Sequence, residues 1–207
     1  MRFLIFDVFL DDVDEIKICL RARWQKTIYL FRHSTKSSVG DAPLSQEGIH
    51  LAKIIGHDKL SGKDFTHLFI SPLSRSADTL KSMTEGAGDF LDIKPTIFPP
   101  HAVSADSDGM TLWEGVCHEA ELAGEDMMQA ALQKDSVRAE SIAKESAQAF
   151  TNWVASMPDD SRVLVVHHSP FLELMVYGLF NKVLPQLQPC EGCVIIENHG
   201  KLQLTDA

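Results

Sequence analysis

Basic charge is scarce in this 207-residue chain: 19 lysines and arginines stand against 29 aspartates and glutamates, for a formal net charge of -10 at pH 7. A chain so acidic lacks the basic face that nucleic acid or an anionic membrane needs, so any cationic site must be local. No apolar run approaches the roughly 18 residues of a membrane span. At the N-terminus, "MRFLIFDVFLDDVDEIK" puts acids where a signal peptide would continue its apolar region. The expectation is a cytoplasmic protein with no nucleic-acid or membrane partner, its oligomeric state left open. Cysteine is also sparse. Cys19, Cys117, Cys190 and Cys193 are too few and too scattered for a disulfide framework. The C-x-x-C of Cys190 and Cys193 precedes "VIIE" rather than opening a helix, and no second pair completes the four ligands of a structural zinc site. Buried or edge thiols, without metal or cofactor, are expected. Internal repeats and low-complexity linkers are absent too, and 44% hydrophobic content over this length suits one core.

What is present is an alternation of strand and helix signals. "TIYLF" (27–31), "THLFIS" (66–71), "PTIF" (95–98) and "RVLVV" (162–166) are short β-rich runs of the kind buried in parallel sheets. Between them, "LSQEGIHLAKIIG" predicts a helix capped by Ser45, with Ile49, Ala52, Ile54 and Ile55 along one side. "SRSADTLKSM" predicts a second helix. Residues 119–156 predict two helical segments meeting between Lys134 and Val137, and "PFLELMVYGLF" a helix with Pro170 in its first turn. "CVIIENHGKLQL" reads as a hairpin about Asn198, His199 and Gly200. The pattern predicts an α/β three-layer sandwich: a mostly parallel sheet, helices on both faces and an antiparallel edge hairpin. The first 26 residues fit this alternation poorly and are set apart as an extension of unknown role.

In open α/β sheets, ligands gather at the carboxyl ends of the strands. Arg32 and His33 follow the first strand, Ser71, Pro72 and Arg75 the second, and His167 and His168 the fourth. A lone arginine at a strand end ordinarily makes a surface ion pair, and a lone histidine an ordinary hydrogen bond. Three segments converging on one sheet edge make a different case. Guanidinium forks match phosphate oxygens, while an imidazole either donates to an oxygen or attacks phosphorus. Arg32 follows four apolar residues and would be an uncomfortable buried charge without an anionic partner.

Four segments in order, "FRHST", "DAPLSQEGIHLA", "ISPLSRSADTL" and "RVLVVHHSPFLEL", together resemble the histidine phosphatase superfamily, the phosphoglycerate-mutase-like fold. "RAESIAKESAQAF" (138–150) is similar to the segment opening the helix before the last of these. The resemblance covers most of the chain, as one domain over 27–207 with a helical insertion at about 113–140. It implies that His33 is the nucleophile that becomes phosphorylated, that Arg32 and Arg75 clamp the phosphoryl oxygens, and that His168 is the second catalytic histidine, with His167 a flank. Ser34 stands where the family has glycine, which implies a hydroxyl and a Cβ against the phosphate pocket. The resemblance also implies a carboxylate that protonates the leaving oxygen, in "SADSDGMTLWEG". Asp108 lies nearest the expected spacing, with Asp106 and Glu114 as alternatives.

The expected function is therefore a metal-independent phosphatase acting on a phosphorylated small molecule or phosphoprotein. A phosphomutase of the same family, or a phosphate-binding protein that has lost the acid, remain the alternatives. A metal hydrolase using His33, His167 and His168 is disfavoured, because two guanidinium groups repel a divalent cation. Specificity is expected from the loop 99–118 and the insertion 119–140. Its acids Glu119, Glu121, Glu125, Asp126 and Asp135 are expected to repel a highly anionic ligand.

Overall fold

The computed structural model describes residues 25–38, 42–88 and 93–206. The expected extension thus lies outside the described residues except for Gln25 and Lys26, which open the first strand. Six strands form one sheet: β1 (Gln25–Arg32), β2 (His67–Ile70), β3 (Thr96–Ile97), β4 (Arg162–His167), β5 (Gly192–Asn198) and β6 (Lys201–Asp206). Their order is β3-β2-β4-β1-β5-β6, parallel from β3 through β1, with β5 and β6 antiparallel at one edge. The β5–β6 turn at His199 and Gly200 has φ of 52° and 77°, the left-handed pair that a tight two-residue hairpin demands. The fold class thus agrees with the sequence pattern.

Residues alternate between the two faces of the central strands, so each strand feeds two cores. Ile28, Leu30, Val163 and Val165 join Phe150, Trp153, Leu172 and Met175 on one face. Phe31, Leu164 and Val166 join Ala52, Leu80 and Met83 on the other. The second face is covered by α1 (Gln46–Ile55, continued as a π turn over Gly56–Leu60) and α2 (Ser74–Ala87). The first is covered by α7 (Ser136–Ser156) and α8 (Phe171–Phe180). The thiols of Cys190 and Cys193 are free and buried in different cores, where burial pushes their pKa up to about 11 and about 12.

Several local expectations shift. Ser45 caps α1 as expected, its hydroxyl accepting from Gly48 N at 3.0 Å. Ile54, expected on the buried side, is 42% exposed, and the helix buries Gly48 and Ala52 instead. Gly48 is there because the chain after β1 passes too close for a side chain: a Cβ would sit 2.3 Å from the Thr35 carbonyl oxygen. The "PTIF" strand shortens to Thr96–Ile97, and Pro170 precedes α8 rather than lying in its first turn. The break between the two long helical segments falls at Asp135, within the expected window.

Between β3 and α7 the chain builds short pieces: α3 (His101–Ser104), α4 (Ser107–Leu112), a π turn (Trp113–Cys117), α5 (His118–Ala123) and α6 (Met127–Lys134). They pack a third cluster of small and flexible side chains, including Cys117, Ala120, Met127, Met128 and Ala131, against Leu174 of α8. No described helix is long and apolar enough to cross a membrane.

Candidate active site

Parallel pairing of β1 with β4 puts Arg32 opposite His167, and the bond from His33 N to His167 O, 2.9 Å, carries the register one residue past the strand. His33 and His168 therefore emerge side by side, their ring centroids 5.2 Å apart. Arg75 arrives from the first turn of α2 and donates through Nε to His33 Nε2 at 3.1 Å. His33 Nδ1 lies 2.7 Å from the Ser34 carbonyl oxygen. A carbonyl oxygen only accepts, so Nδ1 carries the proton and Nε2 presents its lone pair. Burial, and secondarily the charges of Arg75 and Arg32, push His33 down to about 3. The ring is neutral at physiological pH. Desolvation is the larger cause.

Arg32, His33, Arg75 and His168 all line one cavity of about 260 Å³, so the structure brings together four of the residues named from sequence. Both ring nitrogens of His168 are buried without a hydrogen-bond partner among the described residues, and burial holds its pKa well below the usual histidine value. Arg32 donates through Nη1 to the Leu187 carbonyl, while its Nε has no partner among the described residues. Desolvation lowers the guanidinium's pKa, opposed by Glu173, Glu121 and Glu191. An anion presented to this cavity meets two arginine forks and neutral imidazoles in a setting of weak screening.

Ser34 lines not this cavity but the one adjoining it, together with Arg32 and His33. Its hydroxyl donates to the Gly48 carbonyl at 2.7 Å, and its amide donates to Thr79 Oγ1 at 2.9 Å. The residue ties the loop to α1 and α2, and its hydroxyl is already committed to a backbone acceptor. The carboxylates depart from expectation. Asp108 is exposed on α4, Asp106 caps that helix by accepting from Gly109 N at 2.8 Å, Glu114 is exposed, and none of the three lines either cavity at the site. The reason is helical phase. Met110 and Trp113, three residues apart, take the cavity side, and Asp108 is turned roughly 200° from Met110 at about 100° per residue.

The carboxylate that does line the cavity is Glu121 of α5, with Oε2 3.8 Å from His118 Nδ1. Glu121 also lines the adjoining cavity of about 460 Å³, which shares Arg32, His33 and Lys36 with the first. Sequence reasoning counted it only among the repelling acids. Two further residues escaped it. Glu173, fully buried on the otherwise apolar α8, accepts from Ser169 Oγ and from Leu187 N at 2.9 Å, so it fixes the backbone to which Arg32 donates. A lone carboxylate within "PFLELMV" was the available signal. His101 of α3 has Nδ1 2.9 Å from His167 Nε2 and lines the cavity. Among the described residues, no three His, Cys, Asp or Glu side chains are grouped to hold a metal ion.

The profile of the Histidine phosphatase superfamily (branch 1) matches residues 28–199. No curated protein sequence matches the chain. Among solved structures, a phosphoglycerate mutase from Bacillus anthracis superposes with a TM-score of 0.59 at 15% identity, covering 90% of this chain and 94% of that one. A phosphoserine phosphatase from Entamoeba histolytica, in complex with 3-phosphoglyceric acid, gives 0.60 at 18%, covering 87% and 95%. A mycobacterial glucosyl-3-phosphoglycerate phosphatase gives 0.58 at 16%, covering 88% and 98%. At these identities the likeness is one of fold. The match of the family profile over most of the chain goes further: the protein belongs to branch 1 of the histidine phosphatase superfamily.

Proposed function

We propose that the protein is a cytoplasmic phosphatase, one domain over 27–207 with the helical insertion at about 113–140, that hydrolyses a phosphorylated small molecule or phosphoprotein through a phosphohistidine on His33. The observation that carries this reading is the neutral imidazole whose Nδ1 is held by the Ser34 carbonyl and whose Nε2 accepts from Arg75 Nε, beside a cavity lined by Arg32, Arg75 and His168. Nε2 attacks phosphorus, the P–N bond forms as the P–O bond to the alcohol breaks, and the arginines and His168 hold the three equatorial oxygens. The departing oxygen needs a proton, and Glu121 takes the role expected of Asp108, because among the acid candidates it alone faces the cavity. Water then attacks the phosphohistidine, giving its proton to Glu121 and releasing inorganic phosphate.

The test is rapid acid or base quenching after mixing with substrate. An acid-labile, base-stable phosphoryl group on His33, absent from His33→Ala, is expected, with one inorganic phosphate released per alcohol. Undiminished turnover by His33→Ala would overturn the mechanism. Phosphate delivered to a second alcohol rather than to water would identify a mutase.

A further inference from the structure

The cavity at the site has a wall for which phosphoryl transfer has no use. Beyond the arginines and histidines, the 260 Å³ lobe is lined by Pro72, Leu73, Ala105, Met110, Trp113 and Phe171. Met110 is 41% exposed, and the rings of Trp113 and Phe171 stand 6.4 Å apart at 39°. Single exposed apolar side chains need no explanation, but six around one concave surface beside a reactive group do. Arg32, His33, Arg75 and His168 all line this lobe, whereas only Arg32 and His33 of the four line the 460 Å³ lobe. A phosphoryl group in contact with all four therefore lies in the apolar lobe, and the ester's body meets these walls.

The remaining polar groups there are Lys36, Glu121, Ser169 and His101. Burial lowers the pKa of His101, which favours its neutral form. Beyond the two arginines, Lys36 is thus the one cation among the described residues lining the lobe, against six apolar side chains.

Resting on the phosphatase reading above, we propose that the substrate is a monophosphate ester of an uncharged, apolar alcohol of about one or two rings, whose body packs against Met110, Trp113 and Phe171. A lobe of about 260 Å³ is slightly below the roughly 300–1,000 Å³ of drug-sized sites, which sets that upper size.

The test compares methyl through hexyl phosphates and benzyl phosphate, alkyl esters whose leaving groups depart with similar difficulty, with 3-phosphoglycerate and phosphoserine. The expected kcat/KM rises ~4-fold per added methylene, equivalent to ~0.8 kcal/mol, until the lobe is filled. Benzyl phosphate is expected to exceed 3-phosphoglycerate on the order of 10²-fold. Met110→Gln, of similar size and on an exposed position, should lower the benzyl-to-methyl ratio ~5-fold. A flat alkyl series, or 3-phosphoglycerate or phosphoserine outrunning benzyl phosphate, would overturn the proposal while leaving the phosphatase reading intact. If no ester turns over, that reading fails instead, and calorimetry with benzylphosphonate and methylphosphonate decides the pocket. Benzylphosphonate binding ~10-fold tighter or more sustains the apolar lobe, and equal binding overturns it.

Discussion

The site is made by two regions built on different principles. The ends of β1 and β4 hold Arg32, His33 and His168 through ladder bonds between neighbouring central strands, and α2 adds Arg75 from its first turn. The opposite wall comes from short helices and a π turn whose shared core is largely alanine, cysteine and methionine. Backbone pairing fixes a residue's direction by period and register, so the strand ends position the phosphoryl chemistry closely. The short helices are placed only by side-chain packing, which is adaptable where methionine fills the gaps. In the proposed mechanism the first region sets what bond is broken, and the second sets how the leaving group departs and which alcohol it is.

Substitutions that strike the two regions separately sharpen this division. Arg75→Ala should lower kcat/KM on the order of 10²–10³-fold for activated aryl and unactivated alkyl phosphates alike, because the clamp acts on the phosphoryl group. Steady-state rates on both substrates check it, and a loss confined to the alkyl ester would assign Arg75 to the leaving group. Glu121→Gln should lower kcat/KM for the alkyl ester ~10²-fold more than for the aryl ester, whose phenolate leaves without a proton. Asp108→Asn should change neither by more than about 2-fold. The reverse pattern would return the acid to α4.

Acid should undo the strand-end region by linkage. His33 and His167 are held down to about 3 and His168 is also lowered, all chiefly by burial, so the native state binds fewer protons than the unfolded chain between about pH 6.5 and 3. Their stabilising contribution is fully present above the unfolded value and is lost as pH falls through that window. Glu173 acts oppositely: burial raises its pKa, so its folded form favours the proton and its contribution weakens as pH rises. Three histidines outweigh one carboxylate, and urea unfolding should show lower stability at pH 5 than at pH 7, by ~2 kcal/mol for each histidine that stays neutral in the fold. Equal midpoints at the two pH values would contradict the burial of these rings. The smallest effect concerns Gly48: its alanine variant, with a Cβ pressed on the Thr35 carbonyl, should lose ~1–2 kcal/mol, read as a lower Tm.

The division also explains what the sequence could convey. Short β-rich runs leading into "FRH" and "VVHH" announced both the sheet and the residues at its edge, since strand direction follows from local pattern. "SPLSR" likewise placed Arg75 just after β2, where it opens α2. Glu121 was not legible, because its orientation depends on where α4, the π turn and α5 break, and each break shifts the phase that sequence spacing assumes constant. For the same reason Asp108 sat at a plausible distance along the chain and on the wrong side of its helix. Ser34 was legible as a departure from glycine but not as a tether, since its acceptor is the Gly48 carbonyl fourteen residues away.

The most direct test of the division is a rapid-mixing experiment on Glu121→Gln with an excess of an activated aryl phosphate. The strand ends alone should complete the first step, giving a burst of one phenolate per chain, and the missing base should strand the phosphoryl group on His33, where mass spectrometry finds it. Absence of a burst, or a phosphoryl group on any other residue, would contradict the account.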